Sequence, residues 1–536
     1  MTTLEIIEKA KTWLTEPIDA DTQAQIEHLI NNNTDELTEC FYKDLEFGTG
    51  GLRGIMGVGS NRMNKYTVGM ATQGLANYIK KTFPTEKELK AVIAYDTRNN
   101  SRFFAEIAAE VLSANNIKVF LFDDIRPTPL LSFAVRHLAC HTGIVITASH
   151  NPKEYNGYKV YWQDGGQLIA PHDKNVINEV NKIGHFSNVN FDKKNDLIIP
   201  LGEDIDEIYI EKLKQLSLSP QSIAQHKNLK IVFTPIHGTA VHLVPKSLKA
   251  FGFTNIINVE EQCVPDGNFP TVEYPNPEEA KALQMALDKA VAVDADIVMG
   301  TDPDADRVGI AVKNEEGQFV LLNGNQTAAI LIHYILTKWK ENNKLSGKEF
   351  TVKTIVTTEL LTAIAKHYNV EQFDVLTGFK FIADIIRKNE GKKQFIAGGE
   401  ESYGYLVGDF VRDKDAIISC CMMAEIAAWA ASQGKTCYSL LSDIYIKYGF
   451  YKEHLISITK KGKSGSEEIA AMMRQYREQT PNKINNSQVL IVKDYQESIE
   501  KNMINGKTET IDLPKSNVLQ FLLEDGSKIT VRPSGT

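Results

Sequence analysis

A chain of 536 residues is too long for one hydrophobic core, and at about 150 residues per domain it should hold three or four. Its 43% hydrophobic and 24% charged residues are ordinary for a globular protein, while the net charge of −9 argues against nucleic acid as a general partner, because a polyanion is repelled overall. An anionic small molecule stays open, since it responds to local charge. The six cysteines (Cys40, Cys140, Cys263, Cys420, Cys421, Cys437) lack C-x-x-C spacing, a pattern of reduced, buried thiols in a cytoplasmic protein. Glu5, Glu8, Lys9 and Lys11 interrupt the first 20 residues, so no signal-peptide core is expected. No apolar stretch is long enough to span a membrane.

Residues 1–45 carry helical spacing and read as an amphipathic lead-in. A glycine-dense loop over 48–54 follows, able either to cradle an anion with Arg53 or simply to turn. Helix 67–81, strand 89–95, helix 101–114 and strand 118–122 then alternate. The apolar run Gly143, Ile144, Val145, Ile146 reads as a buried strand delivering Thr147-Ala-Ser-His-Asn-Pro152 at its carboxyl end, where α/β sheets place ligands. Beyond it, Tyr155–Lys159 leads into a hairpin turning at Asp164-Gly165-Gly166. The first unit covers 1–205.

The second, 206–320, has strand 229–233, helix 241–250, strand 254–259, helix 277–291 and strand 295–300, which ends in Thr301-Asp-Pro-Asp-Ala-Asp-Arg307. The third, 321–447, repeats the logic. Strand 352–356 precedes Thr377-Gly-Phe-Lys380, strand 394–397 ends in Gly398-Gly-Glu-Glu-Ser-Tyr-Gly404, and a charged run over 409–415 opens an apolar helix at 416–431. The last unit, 448–536, shows strand 453–458, helix 466–478 and a closing strand 528–531 before Arg532-Pro-Ser-Gly-Thr536. Three units that each end a central strand in a polar loop point to a repeated architecture.

Ser149, at the tip of a strand with His150 and Asn151 beside it, suits a nucleophilic or phosphate-carrying serine, although a turn or helix cap explains such a serine equally simply. Asp302, Asp304 and Asp306 alternate, which brings three hard oxygens toward one cation, and Mg²⁺ fits such a set. An EF-hand is excluded, because Arg307 stands where that loop needs glycine and Lys313 where it needs a bidentate glutamate. Three carboxylates beside a phosphoserine and a phosphosugar require fixed cations, and Arg53, Arg98, Lys159, Arg307, Lys380, Arg412 and Arg532 are the candidates. Glu400, Glu401 and Ser402 offer acceptors to the hydroxyls of a hexose. Arg532, with Ser534, Gly535 and Thr536, forms a guanidinium-and-hydroxyl phosphate cradle, or a plain Ser-Gly turn.

Taken in order, Gly50–Gly54, Thr147–Pro152, Asp302–Arg307, Gly399–Gly404 and Arg532–Thr536 resemble the α-D-phosphohexomutase superfamily, and within it the bacterial phosphoglucomutases. The resemblance implies an α/β protein of four domains around a central cleft, three related mixed-sheet domains and a C-terminal α+β domain. It further implies that Ser149 carries a phosphoryl group and shares Mg²⁺ with Asp302, Asp304 and Asp306. Glu400 and Ser402 would bind sugar hydroxyls, while Arg532, Ser534, Gly535 and Thr536 would bind the phosphate that is not transferred. His150, Lys159 and Arg307 are the candidate acid/base residues. Members of the family continue past the phosphate loop, so the resemblance also implies an incomplete fourth domain at Thr536.

The expected reaction interconverts glucose 1-phosphate and glucose 6-phosphate through glucose 1,6-bisphosphate, in a cytoplasmic monomer or homodimer with no nucleic-acid or membrane partner. Gly-Glu-Glu-Ser resembles the sugar loop of glucose-preferring members. Phosphomannomutase and phosphopentomutase are the alternatives within the superfamily, and a serine phosphohydrolase or a non-catalytic sugar-phosphate sensor lies outside it.

Overall fold

The computed structural model describes residues 1–48, 50–460 and 462–533, the side chains of 462 and 463 excepted. The first sheet contains β1 (Gly51–Ile55), β2 (Leu89–Tyr95), β3 (Ile117–Phe122), β4 (Thr142–Ile146), β5 (Tyr155–Trp162) and β6 (Ile198–Leu201), in the order β1-β5-β4-β2-β3-β6. Strands β4, β2, β3 and β6 run parallel, whereas β5 is antiparallel to both β4 and β1. The second sheet comprises β7 (Ile231–Thr234), β8 (Ile256–Asn258), β9 (Ile297–Thr301), β10 (Val308–Lys313) and β11 (Phe319–Leu322), ordered β11-β10-β9-β7-β8. The third has β12 (Glu349–Thr354), β13 (Glu371–Val375), β14 (Gln394–Glu400) and β15 (Gly404–Val407), ordered β13-β12-β14-β15.

All three sheets share one device. A parallel strand buried on both faces (β4, β9 or β14) ends in a polar loop, and the chain returns antiparallel beside it as β5, β10 or β15. The loop is thereby anchored at both ends to neighbouring strands, which holds its side chains far more firmly than a long crossover would. The repeated architecture expected from the sequence is therefore present. The fourth sheet is antiparallel throughout its main path, β19-β18-β17-β20-β21, with β16 paired to β17. Its strands are β16 (Lys483–Ile484), β17 (Ser487–Asp494), β18 (Ile499–Asn502), β19 (Thr508–Thr510), β20 (Leu519–Leu523) and β21 (Lys528–Val531).

One apolar cluster joins the second and third sheets to a face of the first, with Val92, Leu131 and Val145 packed in the same body as Phe233, Met299, Ile335 and Ile417. The helix Ala416–Ala431 lies inside this body and is apolar nearly all round, apart from the buried Glu425, whose carboxylate accepts from Ser217, Leu218, Ser219 and Tyr334. The fourth sheet has its own small core around Val489, Leu519 and Phe521. All six cysteines are free, and five are buried. Among the described residues no helix is long and apolar enough to cross a membrane.

The lead-in is helical as expected, divided into three helices (Thr3–Leu14, Ala20–Asn32, Thr34–Phe41) that pack around Trp13. Several local expectations change. Most of the glycine-rich loop is strand β1, and Gly51 is required because a β-carbon there would sit 1.8 Å from the Tyr158 carbonyl. The expected helix 277–291 begins only at Gln284, because a run of short turns occupies 276–283. The hairpin after β5 does turn at Gly165, but its return arm is the single bridge Tyr161–Gln167. Residues 453–458 form no strand: the alternation Leu-Ile-Ser-Ile finds no partner among the described residues, and Leu455, Ile456 and Ile458 lie exposed. A boundary at 320/321 would cut β11, which pairs with β10, and one at 205/206 would cut the helix Asp204–Lys214.

Candidate active site

The loop after β4 places Ser149 in the left-handed region, at φ 52°, with its amide donating to Thr147 Oγ1 at 2.8 Å. A non-glycine residue there is strained, and such strain is found where a structure over-determines a side chain's aim. The aim is at the second domain: Ser149 Oγ donates to Asp302 Oδ2 at 2.7 Å and lies 3.2 Å from His150 Nδ1. Serine and triad are 153 residues apart in sequence.

Asp302, Asp304 and Asp306 converge as their spacing predicts, with carboxylate oxygens within 4.8 Å of one another and side chains almost wholly buried. The loop bends back on itself, so that Asp302 Oδ1 accepts the amides of Asp306 and Arg307, each at 3.0 Å. Asp304 Oδ2 accepts from Thr128 Oγ1 at 2.9 Å and from Lys159 Nζ at 2.7 Å. Asp306 Oδ2 is 3.0 Å from Lys414 Nζ and 3.5 Å from Lys159. The remaining oxygens, Asp304 Oδ1 and Asp306 Oδ1, are buried and have no hydrogen-bond partner. Two orphaned carboxylate oxygens beside a serine hydroxyl are the donor set a hard divalent cation takes, so these residues fit Mg²⁺.

The electrostatics agree. Burial, reinforced by Asp304 and Asp306, pushes the Asp302 carboxyl well above the usual range. Burial would raise Asp304 too, but Lys159 outweighs it and holds that carboxyl low. Asp306 is pushed up by burial and by Asp304, yet Lys414 and Lys159 bring it below its ordinary value. Burial opposes the charge on Lys159, and Asp304 and Asp306 more than restore it. Lys159 and Lys414 thus hold Asp304 and Asp306 in their charged form, while Asp302 pairs with neither lysine. Burial, with Arg307 and Arg53 adding repulsion, drives His150 well below its usual value, so its ring is neutral near pH 7.

Of the other expected residues, Arg307 forms an ion pair with Glu278 and lies 3.8 Å from Asp306 Oδ1. Arg53 on β1 is desolvated within reach of the charges of Asp304, Asp306 and Arg307. Glu400, the last residue of β14, is buried, accepts the Gly378 amide at 2.9 Å and is raised by that burial. Ser402 occupies the turn between β14 and β15, whereas Glu401 points away and accepts from Thr354 and Thr357. Lys380 sits in the first turn of the helix Phe379–Asn389, where burial lowers its ammonium and Asp173 of the first domain works against that.

The three remaining cations make no ion pair with Asp302, Asp304 or Asp306 among the described residues. Arg412 turns to the seam with the first domain, where its Nη2 is 3.0 Å from Glu390 and its amide donates to Ser132 Oγ. Arg98 lies beneath the serine loop rather than in an open cleft, with its side chain wholly buried. Arg532 is exposed just beyond β21, and among the described residues nothing joins it to the carboxylates. Ser534, Gly535 and Thr536 lie outside the described residues. Sequence reasoning missed Lys414, two positions from the arginine it chose in the same charged run. It also missed Thr128, whose partner is 176 residues away and which no local pattern announces.

Family models for the phosphoglucomutase/phosphomannomutase α/β/α domains I, II and III match residues 44–186, 207–317 and 323–448. The phosphoglucomutase of Staphylococcus epidermidis is 38% identical over 525 residues, which covers 97% of this chain and 94% of that one. That of Staphylococcus aureus is 38% identical over 518 residues, 95% of this chain and 91% of the other. Among solved structures, pp63/parafusin from Paramecium superposes with a TM-score of 0.66 at 18% identity, over 92% of this chain and 88% of that one. A phosphoglucomutase/phosphomannomutase family protein from Burkholderia thailandensis gives 0.59 at 21%, over 74% and 79%. With the serine loop, the three-aspartate loop and the Glu400–Ser402 loop each delivered by its own α/β domain, the chain belongs to the phosphoglucomutase/phosphomannomutase family of the α-D-phosphohexomutase superfamily.

Proposed function

We propose that this protein is a Mg²⁺-dependent phosphosugar mutase that interconverts glucose 1-phosphate and glucose 6-phosphate. The observation that carries the reading is the seating of Ser149 Oγ against Asp302, beside two unpartnered carboxylate oxygens. The phosphoglucomutase name of the staphylococcal relatives supports the same substrate.

Phospho-Ser149 gives its phosphoryl group to the free hydroxyl of a hexose monophosphate: the bond from phosphorus to Ser149 Oγ breaks, one to the sugar oxygen forms, and that hydroxyl loses its proton. That proton ends on the released Ser149 Oγ, and the resulting glucose 1,6-bisphosphate turns end for end and returns its other phosphoryl group to Ser149. Asp302, Asp304 and Asp306, with Ser149, would hold Mg²⁺, which supplies charge neutralisation at the transferring group. Arg53, Arg307 and Lys159 add fixed positive charge, and positioning with charge stabilisation accounts for most of the rate. His150, Lys159 and Arg307 are the groups available to move the hydroxyl proton, His150 being nearest to Ser149 Oγ. Glu400 and Ser402 select the sugar hydroxyls. Lys380, Arg532, Ser534, Gly535 and Thr536 are assigned to the distal phosphate.

The domains divide near 203, 322 and 448, and the protein acts in the cytoplasm as a monomer or homodimer on a small phosphosugar. The test is incubation with glucose 1-phosphate, Mg²⁺ and a trace of the bisphosphate. Glucose 6-phosphate is the expected product; free phosphate would make the protein a hydrolase, and no turnover would make it a sensor. Comparing kcat/KM for glucose, mannose and ribose 1-phosphates fixes the preference, with glucose expected first.

A further inference from the structure

We infer that Arg98 is a positioning residue that sets the conformation of the phosphoserine loop from behind, an inference that rests on the role proposed for Ser149. Its Nη1 donates to the carbonyls of Pro152 and Tyr155 at 2.8 and 3.1 Å, and its Nη2 to those of Ser149 and Asn151, both at 2.5 Å. Its Nε lies 3.3 Å from Asp96 Oδ2, and neither side chain of the pair is exposed. Four of the five N–H groups of one guanidinium are thus donated to carbonyls, three on the loop that carries Ser149 and one on the first residue of β5, while Nε makes an ion pair with Asp96 and no hydrogen bond.

Asp96 is itself fixed, because its Oδ1 accepts the Arg98 amide at 2.9 Å and the Ser101 hydroxyl at 2.6 Å. The guanidinium also lies 5.1 Å from the Phe269 ring of the second domain. The fork therefore ties the end of β2 to the loop after β4, with one face of the guanidinium against the second domain. Ser149 needs this support, since its left-handed backbone is unfavourable for a residue with a side chain and relaxes once the carbonyls are released. Arginine is required because a planar fork reaches four separated carbonyls, whereas a lysine ammonium offers three donors at one point.

The experiment compares wild type with Arg98→Lys and Asp96→Asn in the full chain. It measures kcat, KM for glucose 1-phosphate, Mg²⁺ binding by calorimetry, and amide hydrogen exchange with Tm. For Arg98→Lys the expected result is a fall in kcat of about 100-fold, the scale of a 1 Å misplacement. KM and Mg²⁺ affinity should stay within about threefold, and exchange should rise over 147–156 but not over β2 or β3. Asp96→Asn, which keeps the fork and removes its anchor, should shift the same readings in the same direction by less. Unchanged exchange at 147–156, rescue of kcat by lysine, or a uniform rise in exchange across the first domain would each overturn the inference. Exchange needs no substrate, so a wild type without mutase turnover would defeat the functional reading and leave this test standing.

Discussion

The junction between the first and second domains and the junction between the third and fourth are built on opposite plans. At the first, buried side chains cross from one domain to the other: Ser149 to Asp302, Thr128 and Lys159 to Asp304, Lys159 again to Asp306. The two domains also share a continuous apolar core. At the second, Lys528 reaches Glu359 at 2.6 Å and the Ile355 carbonyl at 2.8 Å, and Gln520 reaches the same carbonyl. A small cluster of Ile355, Leu376, Tyr495 and Val518 lies beside them. The difference follows from what each junction does. Phosphoryl transfer needs serine, carboxylates and cations fixed in advance, because any reorganisation adds to the barrier. The fourth domain is held by a smaller seam, in which the Lys528 and Gln520 contacts sit beside this separate apolar cluster and no side chain reaches the three aspartates among the described residues.

The sharpest way to break this contrast is Ser149→Ala. Multiple-turnover exchange should fall by at least about three orders of magnitude, while Tm stays within about 3 °C because one small hydroxyl is lost. Intact mass should show a phosphate on wild type that excess substrate discharges and that the variant lacks. Normal turnover by the alanine variant would place the chemistry elsewhere.

Asp304→Asn comes next. It replaces one carboxylate oxygen by an amide nitrogen and removes the charge that Lys159 pairs with at 2.7 Å, leaving Lys159 only its longer contact with Asp306. Mg²⁺ affinity, followed by calorimetry, should fall by more than the roughly 10- to 100-fold that loss of an outer-shell partner costs. Sugar KM should change far less. If activity survives thorough chelation of the wild type, the triad is structural.

Glu400→Ala tests whether the third domain contributes through sugar hydroxyls rather than through the metal. A hydrogen bond to a charged group is worth about 1.5–3 kcal/mol, so kcat/KM should drop roughly tenfold to a hundredfold with Mg²⁺ binding intact.

The smallest effect belongs to the second junction. Burial would raise Glu359, but Lys353 and the Lys528 ammonium outweigh it and lower the carboxyl from 4.5 to about 2. A carboxyl depressed in the folded state stabilises above its unfolded value, and the contribution is lost as pH falls from about 4.5 toward 2. Limited proteolysis between pH 5 and pH 3 should therefore release the C-terminal domain earlier as acidity rises. Glu359→Gln should flatten that dependence and leave transfer at Ser149 unaltered in rate per folded molecule. An acid response unchanged by the substitution would mean that the seam is held by its apolar cluster.

How much could be read beforehand depends on the range of the interactions. The helix Ala416–Ala431 and strands β2 and β21 were legible to the residue, because an apolar run between polar punctuation is a local property. Strand 453–458 looked equally sound, yet a strand exists only with a partner, and pairing is not local. The apolar runs of β17 (Val489–Val492) and β20 (Leu519–Leu523) are local signals that the sequence reading passed over, whereas β18 and β19 carry little apolar pattern of their own.

By itself the sequence determined that Ser149, the three aspartates and Glu400 stand at strand ends, since that placement needs only the neighbouring residues. It also determined the convergence of the aspartates, because alternation in one short loop brings their oxygens within a few ångströms. Only the tertiary structure decided which cations serve them. Arg412 and Lys414 are two residues apart and carry the same charge, but the packing of their loop between domains sends one to Glu390 and the other to Asp306. Arg98 reads from sequence like any cation after a strand, and its burial under four carbonyls is a property of the folded loop. Electrostatic partners are chosen by distance in space, and at separations of 150 residues or more that distance is set by the domains and not by the chain between them.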